Sequence, residues 1–350
     1  MSSTVNLKDR QIGTGYPVYI IAELSANHNQ NYDEAVSLIH AAKKAGADAI
    51  KLQTYTPDTI TIPCNNQYFR VGTGTLWEGR NLYDLYSEAY TPWEWQPELQ
   101  KIAKGLGMDL FSTPFDKSAV DFLQKMDIPA YKIASFEVVD LPLIHKVAET
   151  GKPVIMSTGM ATLSEIEDAI NTIRDTGNDQ IALLKCTSAY PALPEEMNLR
   201  SIPHLAEAFQ VPVGLSDHTL GIAASVVAVS LGACIVEKHF TLSRSVLGPD
   251  SSFSLEPEEF KLMVNSIRET EKLLGNVHYD VSEHEKASRV FRRSLFVVKD
   301  MKEGEIFSEE NVRSIRPGYG LSPKNFDIIL GRKASKDIIR GSPLTWEIID

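Results

Sequence analysis

Cysteine is scarce in this chain. Cys64, Cys186 and Cys234 are the only three in 350 residues, widely spaced and with no Cys-x-x-Cys pair. That excludes a disulfide framework and a cysteine-built zinc site. Cys186 and Cys234 fall inside apolar strand-like runs and read as buried thiols, so a reducing, cytoplasmic setting is expected. Long apolar runs are missing too. No stretch of about 18 apolar residues occurs, and segment 1–13 has no apolar signal core, so neither a membrane span nor a leader is expected. An excess of basic charge is also missing: 35 Lys and Arg face 46 Asp and Glu, for a net charge of −11. A general nucleic-acid surface is thereby excluded, while a local cluster of lysines or a metal can still receive an anion. Finally, no Gly-x-Gly-x-x-Gly follows the first strand-like run, so the mark of a dinucleotide-binding sheet is absent.

What is present is an alternation of short β-rich runs with helical patterns. Strand-like runs fall at 18–23, 47–54, 108–114, 130–135, 152–158, 181–188, 211–217 and 233–240. Helical spacing falls between them at 31–45, 92–105, 116–126, 141–150 and 164–174, and from about 202. An Ala-rich stretch precedes the eighth run, and an amphipathic helix at 256–275 follows it. Thr162 or Ser164 is the candidate N-cap of the 164–174 helix. Eight such units in succession predict a (β/α)8 TIM barrel. Residues 55–91, rich in Tyr, Trp, Thr and Gly, are long for a connecting loop and are expected to be a lid or specificity loop. After residue 280 the pattern changes to short strands, Gly turns and many charges. There Arg293–Phe307 reads as a strand, a turn and a second β-like run. The expected organisation is a barrel over 1–280 and a small β-rich domain over 281–350, joined by a polar linker near 276–287.

The ends of the strand-like runs carry the chemistry. Asp217-His218 and Glu237-Lys238-His239 end the seventh and eighth runs, with the two histidines 21 positions apart. One helix and one strand fill that interval, which returns the chain to the same sheet edge. Neutral imidazole is a common metal ligand, so His218 and His239 are the candidate metal pair. Lys51 and Lys132, with hydroxyls at Thr113, Ser135, Ser157 and Ser216, suit an anion such as a phosphate with a carboxylate. Glu23, Gln53, Ser188 and Tyr190 end other runs and converge at the same mouth in a barrel. His28 reads either as a lining residue or as a support for Asn27. His40, His145, His204, His278 and His284 lie in helical or linker segments and read as structural or solvated.

The segments AELSANHNQ, IKLQTY, FSTPFD, YKIASFE, VIMSTGMAT, LLKCTSAYP, GLSDHT and EKHFT, followed by GPDSSFSLEP, resemble the sialic acid synthase family. Its members are phosphoenolpyruvate-condensing barrels with a C-terminal antifreeze-like (SAF) domain, to which 292–323 is similar. The resemblance covers almost the whole chain. It implies a divalent metal on His218 and His239, typically Mn2+, with Mg2+ or Co2+ as substitutes. It implies phosphoenolpyruvate on Lys51, Thr113, Lys132, Ser135, Ser157 and Ser216. Glu23 and Gln53 then face the reacting carbons, and Tyr190 and Asp250 face an acetamido sugar. It also implies that Arg316 serves a neighbouring subunit's site, and hence a domain-swapped homodimer. Two positions depart from members that use N-acetylmannosamine: Ser188 stands where those usually carry Asn, and Ser251 where those usually carry His. The segments SANHNQ, DSSFSLEP and GTLWEGRNLYDLY resemble the branch of the family that uses 2,4-diacetamido-2,4,6-trideoxy-L-altrose, so the resemblance implies that sugar, and its methyl and second acetamido group suit a pocket of Trp77, Tyr83 and small hydroxyls. An N-acetylneuraminate- or legionaminate-forming enzyme is the alternative on this scaffold. Outside the family, a pyruvate-using aldolase or isomerase fits the two lysines less well, and a purely carbohydrate-binding protein leaves the polar strand ends without purpose.

Overall fold

Parallel strands cannot be joined by tight turns, so every strand in such a sheet needs a crossover, usually a helix. The computed structural model, which describes Thr4–Lys8 and Arg10–Asp350, shows how this chain meets that demand. A hairpin of β1 (Thr4–Leu7) and β2 (Arg10–Gly13) comes first. The barrel strands follow: β3 (Tyr19–Glu23), β4 (Ala49–Thr54), β5 (Asp109–Pro114), β6 (Tyr131–Ile133), β7 (Val154–Ser157), β8 (Ile181–Cys186), β9 (Val213–Asp217) and β10 (Ile235–His239). Neighbours are parallel in chain order, and β10 pairs back onto β3 to close the barrel of eight strands. The expected barrel is therefore the fold, with each strand one to three residues shorter than its apolar run.

Helices fill the crossovers in order. α1 (Tyr32–Ala45) follows β3, and α2 (Pro57–Ile60), α3 (Leu82–Ala89) and α4 (Gln96–Gly105) follow β4. Then come α5 (Lys117–Lys125), α6 (Leu141–Ala148), α7 (Leu163–Arg174), α8 (Ser201–Phe209), α9 (Ala223–Ser230) and α10 (Pro257–Leu274). Local chemistry sets their ends. Asn31 caps α1 by accepting from the Glu34 amide at 3.2 Å. α1 stops at Gly46, whose φ of +96° suits glycine, and a Cβ there would meet Val264 at 3.0 Å. Thr162, not Ser164, caps α7 through a reciprocal capping box with Glu165.

The hairpin was not foreseen as an element. Its Val5, Leu7 and Ile12 join the same core cluster as Tyr19, Ile21 and Phe111. Arg10 pairs with Asp48 at 2.7 Å, and Asn6 takes a bond from its amide to Gln180 at 2.8 Å. Asp48 and Gln180 each lie just before a strand, so the hairpin covers the amino-terminal end of the barrel and leaves the carboxyl end open. The long segment 55–91 is partly helical, is closed on itself by Asn81 Nδ2 donating to Cys64 O at 2.7 Å, and is tied to the chain after β10 by Trp77 Nε1 donating to Pro249 O at 3.0 Å.

The chain divides after Gly275 into two compact units, Met1–Gly275 and Asn276–Asp350. The second holds α11 (Glu283–Lys286), β11 (Ser294–Val297), β12 (Val312–Ile315) and α12 (Phe326–Ile329) around Leu295, Val297, Phe307, Val312 and Leu344. β11 pairs with β12, and the second β-like run, ending at Phe307, forms no strand among the described residues. A turn with Gly304 at φ +80° directs that run elsewhere, where Met301 and Ile306 form single bridges with Ile338 and Lys333.

Candidate active site

Side chains alternate across a strand, so parity decides which strand-end residues share the barrel interior. Glu23, Lys51, Gln53, Lys132, Ser157, Ser216 and Glu237 take the inner side, as their mutual bonds show. Lys51 Nζ donates to Glu237 Oε1 at 3.0 Å and lies 3.1 Å from Glu23 Oε2. Ser216 Oγ donates to the same Glu237 oxygen at 3.0 Å, and Lys132 Nζ stands 4.0 Å from it. Lys132 also donates to Ser157 Oγ at 2.6 Å. Gln53 Nε2 donates to Glu23 Oε1 and to Ser25 Oγ, both at 3.0 Å. Thr113 Oγ1 is buried nearby on β5, with no hydrogen-bond partner among the described residues.

Burial sets the charges of this basin. It pushes the Glu23 carboxyl up to about 7, against the pull of Lys51. Burial would raise Glu237 too, but Lys132 and Lys51 hold it at about 2. Burial pulls the Lys132 ammonium down to about 8 despite Glu237. Burial works against Lys51 as well, yet the two carboxylates raise it above its ordinary value. The basin therefore holds one fixed carboxylate, one carboxyl poised near neutrality and two ammonium groups.

An aromatic and imidazole rim stands on the same edge. The Tyr190 ring lies 4.3 Å from that of His218, 5.2 Å from Phe253 and 5.6 Å from Trp77. Trp77 Nε1 donates to Pro249 O at 3.0 Å. Next along, the Asp250 carboxylate accepts from Ser25 Oγ, and burial raises its pKa. Ser135 Oγ accepts from the Gly159 amide at 3.1 Å. Ser188 Oγ stands close by, because a Cβ on Gly159 would fall 2.2 Å from it and 2.8 Å from Ser135 Oγ.

Most of the expected site residues are thus brought together, with exceptions. Arg316 belongs to the second unit, exposed and directly after β12. Tyr83 is turned away: it starts α3, capped by Asn81, and its hydroxyl donates to Asp58 at 3.0 Å. An open groove of about 540 Å³ beside Trp77 and Pro249 is lined by Arg80, Glu88 and Leu247 rather than by Tyr83. His28 is a support. Its Nε2 meets Thr91 Oγ1 at 3.0 Å, its ring packs on Trp95, and burial lowers its pKa to about 4. Two residues were missed. Glu237 is the centre of the basin, two positions before His239 on one strand, so parity alone identifies it. Glu137, in a single turn after β6, has a buried Oε2 with no hydrogen-bond partner among the described residues and is raised by burial to about 7. The YKIASFE segment contained it.

The two histidine rings lie 5.4 Å apart. His218 Nδ1 is 2.9 Å from Thr187 O, which can only accept, so in the neutral ring Nδ1 carries the proton and Nε2 keeps its lone pair. Burial and surrounding cations hold His239 well below its ordinary pKa, hence neutral, and its Nδ1 has no hydrogen-bond partner among the described residues. Burial works against a charged His218, but Cys186 and the Thr187 carbonyl raise its pKa, so its Nε2 would meet a metal only once that ring has lost its second proton, whereas His239 is already neutral. Among the described residues no group of three or more His, Cys, Asp or Glu side chains is placed to hold a metal, so the two imidazoles would need water or substrate to complete a coordination shell.

The model of the NeuB family matches residues 38–279, and that of the SAF domain matches 292–349. The chain is 49% identical over 337 residues to a pseudaminic acid synthase of Campylobacter jejuni subsp. jejuni serotype O:23/36 (strain 81-176), covering 95% of this chain and 98% of that one. It is 46% identical over 335 residues to the pseudaminic acid synthase of Helicobacter pylori (strain ATCC 700392 / 26695), with the same coverage. The crystal structure of the spore coat polysaccharide biosynthesis protein SpsE from Bacillus subtilis superposes with a TM-score of 0.67 at 36% identity, over 99% of both chains. A closed parallel barrel with this basin and a following SAF domain leads to one conclusion: the chain belongs to the NeuB family.

Proposed function

We propose that the chain is a pseudaminic acid synthase. It condenses phosphoenolpyruvate with 2,4-diacetamido-2,4,6-trideoxy-L-altrose and water, giving pseudaminic acid and inorganic phosphate. The observation that carries this is the convergence of Lys51, Lys132, Thr113, Ser157 and Ser216 on one strand edge, beside His218 and His239, in a chain 46–49% identical to pseudaminic acid synthases along 95% of its length.

Lys51 and Lys132 neutralise the phosphate and carboxylate of phosphoenolpyruvate, and Thr113, Ser135, Ser157 and Ser216 donate to its oxygens. Thr113 Oγ1, buried without a partner, is the donor with most to gain. His218 and His239 would hold a divalent ion, Mn2+ first, which when bound supplies Lewis-acid polarisation of the sugar aldehyde. Tyr190, Ser188 and Asp250 orient the sugar so that its aldehyde carbon faces carbon 3 of phosphoenolpyruvate. The new bond joins those two carbons, carbon 2 becomes electron-poor, and water adds there. Collapse breaks the bond between carbon 2 and the phosphate oxygen. Of the two water protons, one ends on the new hydroxyl and one on phosphate. Glu23, poised near 7 and bonded to Gln53, is the group that takes and returns a proton in this transfer.

The same reading makes the active form a domain-swapped homodimer in which Arg316 enters the partner's site. Exposed apolar side chains support a covered surface: Phe136, Met160, Leu193, Leu220 and Leu247 on the strand-end loops, and Val277, Tyr279 and Tyr319 in the second unit. No described helix is long and apolar enough to cross a membrane, and the three free thiols suit the cytoplasm.

The test supplies phosphoenolpyruvate with the altrose derivative, with N-acetylmannosamine, or with the legionaminate precursor, and follows phosphate release. Preference for the altrose derivative is expected. Preference for either other sugar overturns the assignment, and condensation that consumes added pyruvate and releases no phosphate overturns the reaction class.

A further inference from the structure

Ser25 follows β3 by two residues, inside the mouth of the barrel, and it is 2% exposed. Its φ is +44°. Serine gains nothing from that left-handed conformation, where Cβ crowds the following carbonyl and glycine is the natural occupant. A non-glycine residue held there inside a site points to a task for its side chain. The side chain has two partners, both from the candidate site. Ser25 Oγ donates to Asp250 Oδ2 and accepts from Gln53 Nε2 at 3.0 Å. The Asp250 carboxylate also lies 3.5 Å from the Ala26 amide.

Counting hydrogens fixes the consequence. A primary amide has two N–H donors. Gln53 Nε2 gives one to Glu23 Oε1 and the other to Ser25 Oγ. Its nitrogen is then fully used, the amide cannot flip without losing both bonds, and its oxygen is left as an acceptor. The carboxylate of Asp250, held through Oδ2, likewise keeps Oδ1 as an acceptor. Both free oxygens seek donors, and a sugar with acetamido N–H and hydroxyl groups supplies them. One hydroxyl therefore locks two acceptors, on segments 28 and 225 positions away along the chain.

We propose that Ser25 is a positioning residue for sugar recognition: its hydroxyl joins Gln53 to Asp250 and presents their oxygens together to N–H and O–H donors of the acetamido sugar. The inference rests on the proposed condensation with such a sugar. It separates this site from one built on glycine at the same position, which would leave Asp250 and Gln53 to orient independently.

Glycine is also the clean test, because Ser25→Gly relieves the backbone while removing the hydroxyl. The variant is expected to unfold at the same temperature or higher. Its KM for the sugar should rise about tenfold or more, the loss of a bond to a charged group, while the KM for phosphoenolpyruvate stays within about twofold. Wild-type enzyme assayed in parallel separates the two claims: no turnover of an acetamido sugar by wild type overturns the proposed function, not the role of Ser25. A double-mutant cycle in thermal stability tests the link without turnover. Ser25→Gly and Asp250→Asn should be clearly non-additive. Additive effects, or unchanged sugar kinetics in an active Ser25→Gly enzyme, overturn the inference.

Discussion

The Lys51 ammonium and the Glu237 carboxylate meet at 3.0 Å inside the barrel, both nearly sealed from solvent. Glu237 Oε1 also accepts from Ser216 and faces Lys132, so a single oxygen serves three donors or cations. Glu237→Gln removes the charge that balances two buried lysines. Breaking a buried pair by neutralising one partner costs about 3–5 kcal/mol. The variant should show that loss in chemical denaturation and should bind phosphoenolpyruvate with altered affinity. A stability change below about 1 kcal/mol would remove Glu237 from the centre of the basin.

Two carboxyls titrate near neutrality. Burial raises Glu23 and Glu137 from an ordinary 4.5 to about 7. Between those values the unfolded chain has released the proton that the folded chain keeps. The stability each contributes is therefore complete below about 4.5 and is lost as pH rises through about 7. Glu237, held near 2, has the opposite sign: its contribution is present above about 4.5 and disappears as pH falls through about 2. His28, lowered to about 4, also opposes the trend, because the unfolded chain binds its proton first. The informative quantity is thus a difference between variants. Glu137→Gln should gain stability relative to wild type on going from pH 5 to pH 8, measured by urea denaturation at both. A constant difference would contradict a raised Glu137.

Removal of metal gives a third expectation. His239 is held neutral, and His218 donates Nδ1–H to Thr187 O, so its Nε2 can turn to a divalent ion once the ring is neutral. A chelator should stop phosphate release, and Mn2+ should restore it. His239→Ala should lose turnover by at least about 100-fold, yet unfold within a few degrees of wild type, since Nδ1 makes no bond that the fold would miss. Undiminished turnover in chelator would end the metal reading.

The sequence made the barrel legible because each apolar run and each amphipathic stretch agreed with its neighbours. The polar strand ends followed from the fold, since a closed parallel barrel gathers them at one mouth. What stayed hidden depended on parity and on distant contacts. Glu237 looked like a companion to Asp217, each an acid near a histidine, and only the pleat separates them. Ser25 stands among the polar residues that follow the first strand-like run, but its φ and its two partners depend on contacts no local pattern reveals. The hairpin of β1 and β2 carried apolar alternation at Val5 and Leu7, but it is short, and its core partners lie far along the chain. In the second unit, the β-like run after β11 forms no strand, and the partner of β11, Val312–Ile315, lies beyond it.

The last prediction turns on that same parity. Asp217 and Lys238 are one position away from Ser216 and Glu237, which puts them on the outer face of the sheet. Their side chains pair at 2.9 Å with no solvent exposure at all. Asp217 also accepts from the Thr219 amide and hydroxyl at 2.8 Å and from Ser225 Oγ at 2.7 Å, the latter on α9. The pair therefore anchors a helix to the barrel and touches nothing in the basin. Lys238→Met keeps the aliphatic stem and strands the carboxylate, at a cost of about 3 kcal/mol or more. Because Thr219 and Ser225 still hold Asp217, the strand end should keep its shape. The folded enzyme should retain its KM for both substrates while melting several degrees lower. A Lys238→Met enzyme of normal stability but raised KM would place this lysine inside the site, against the alternation of β10.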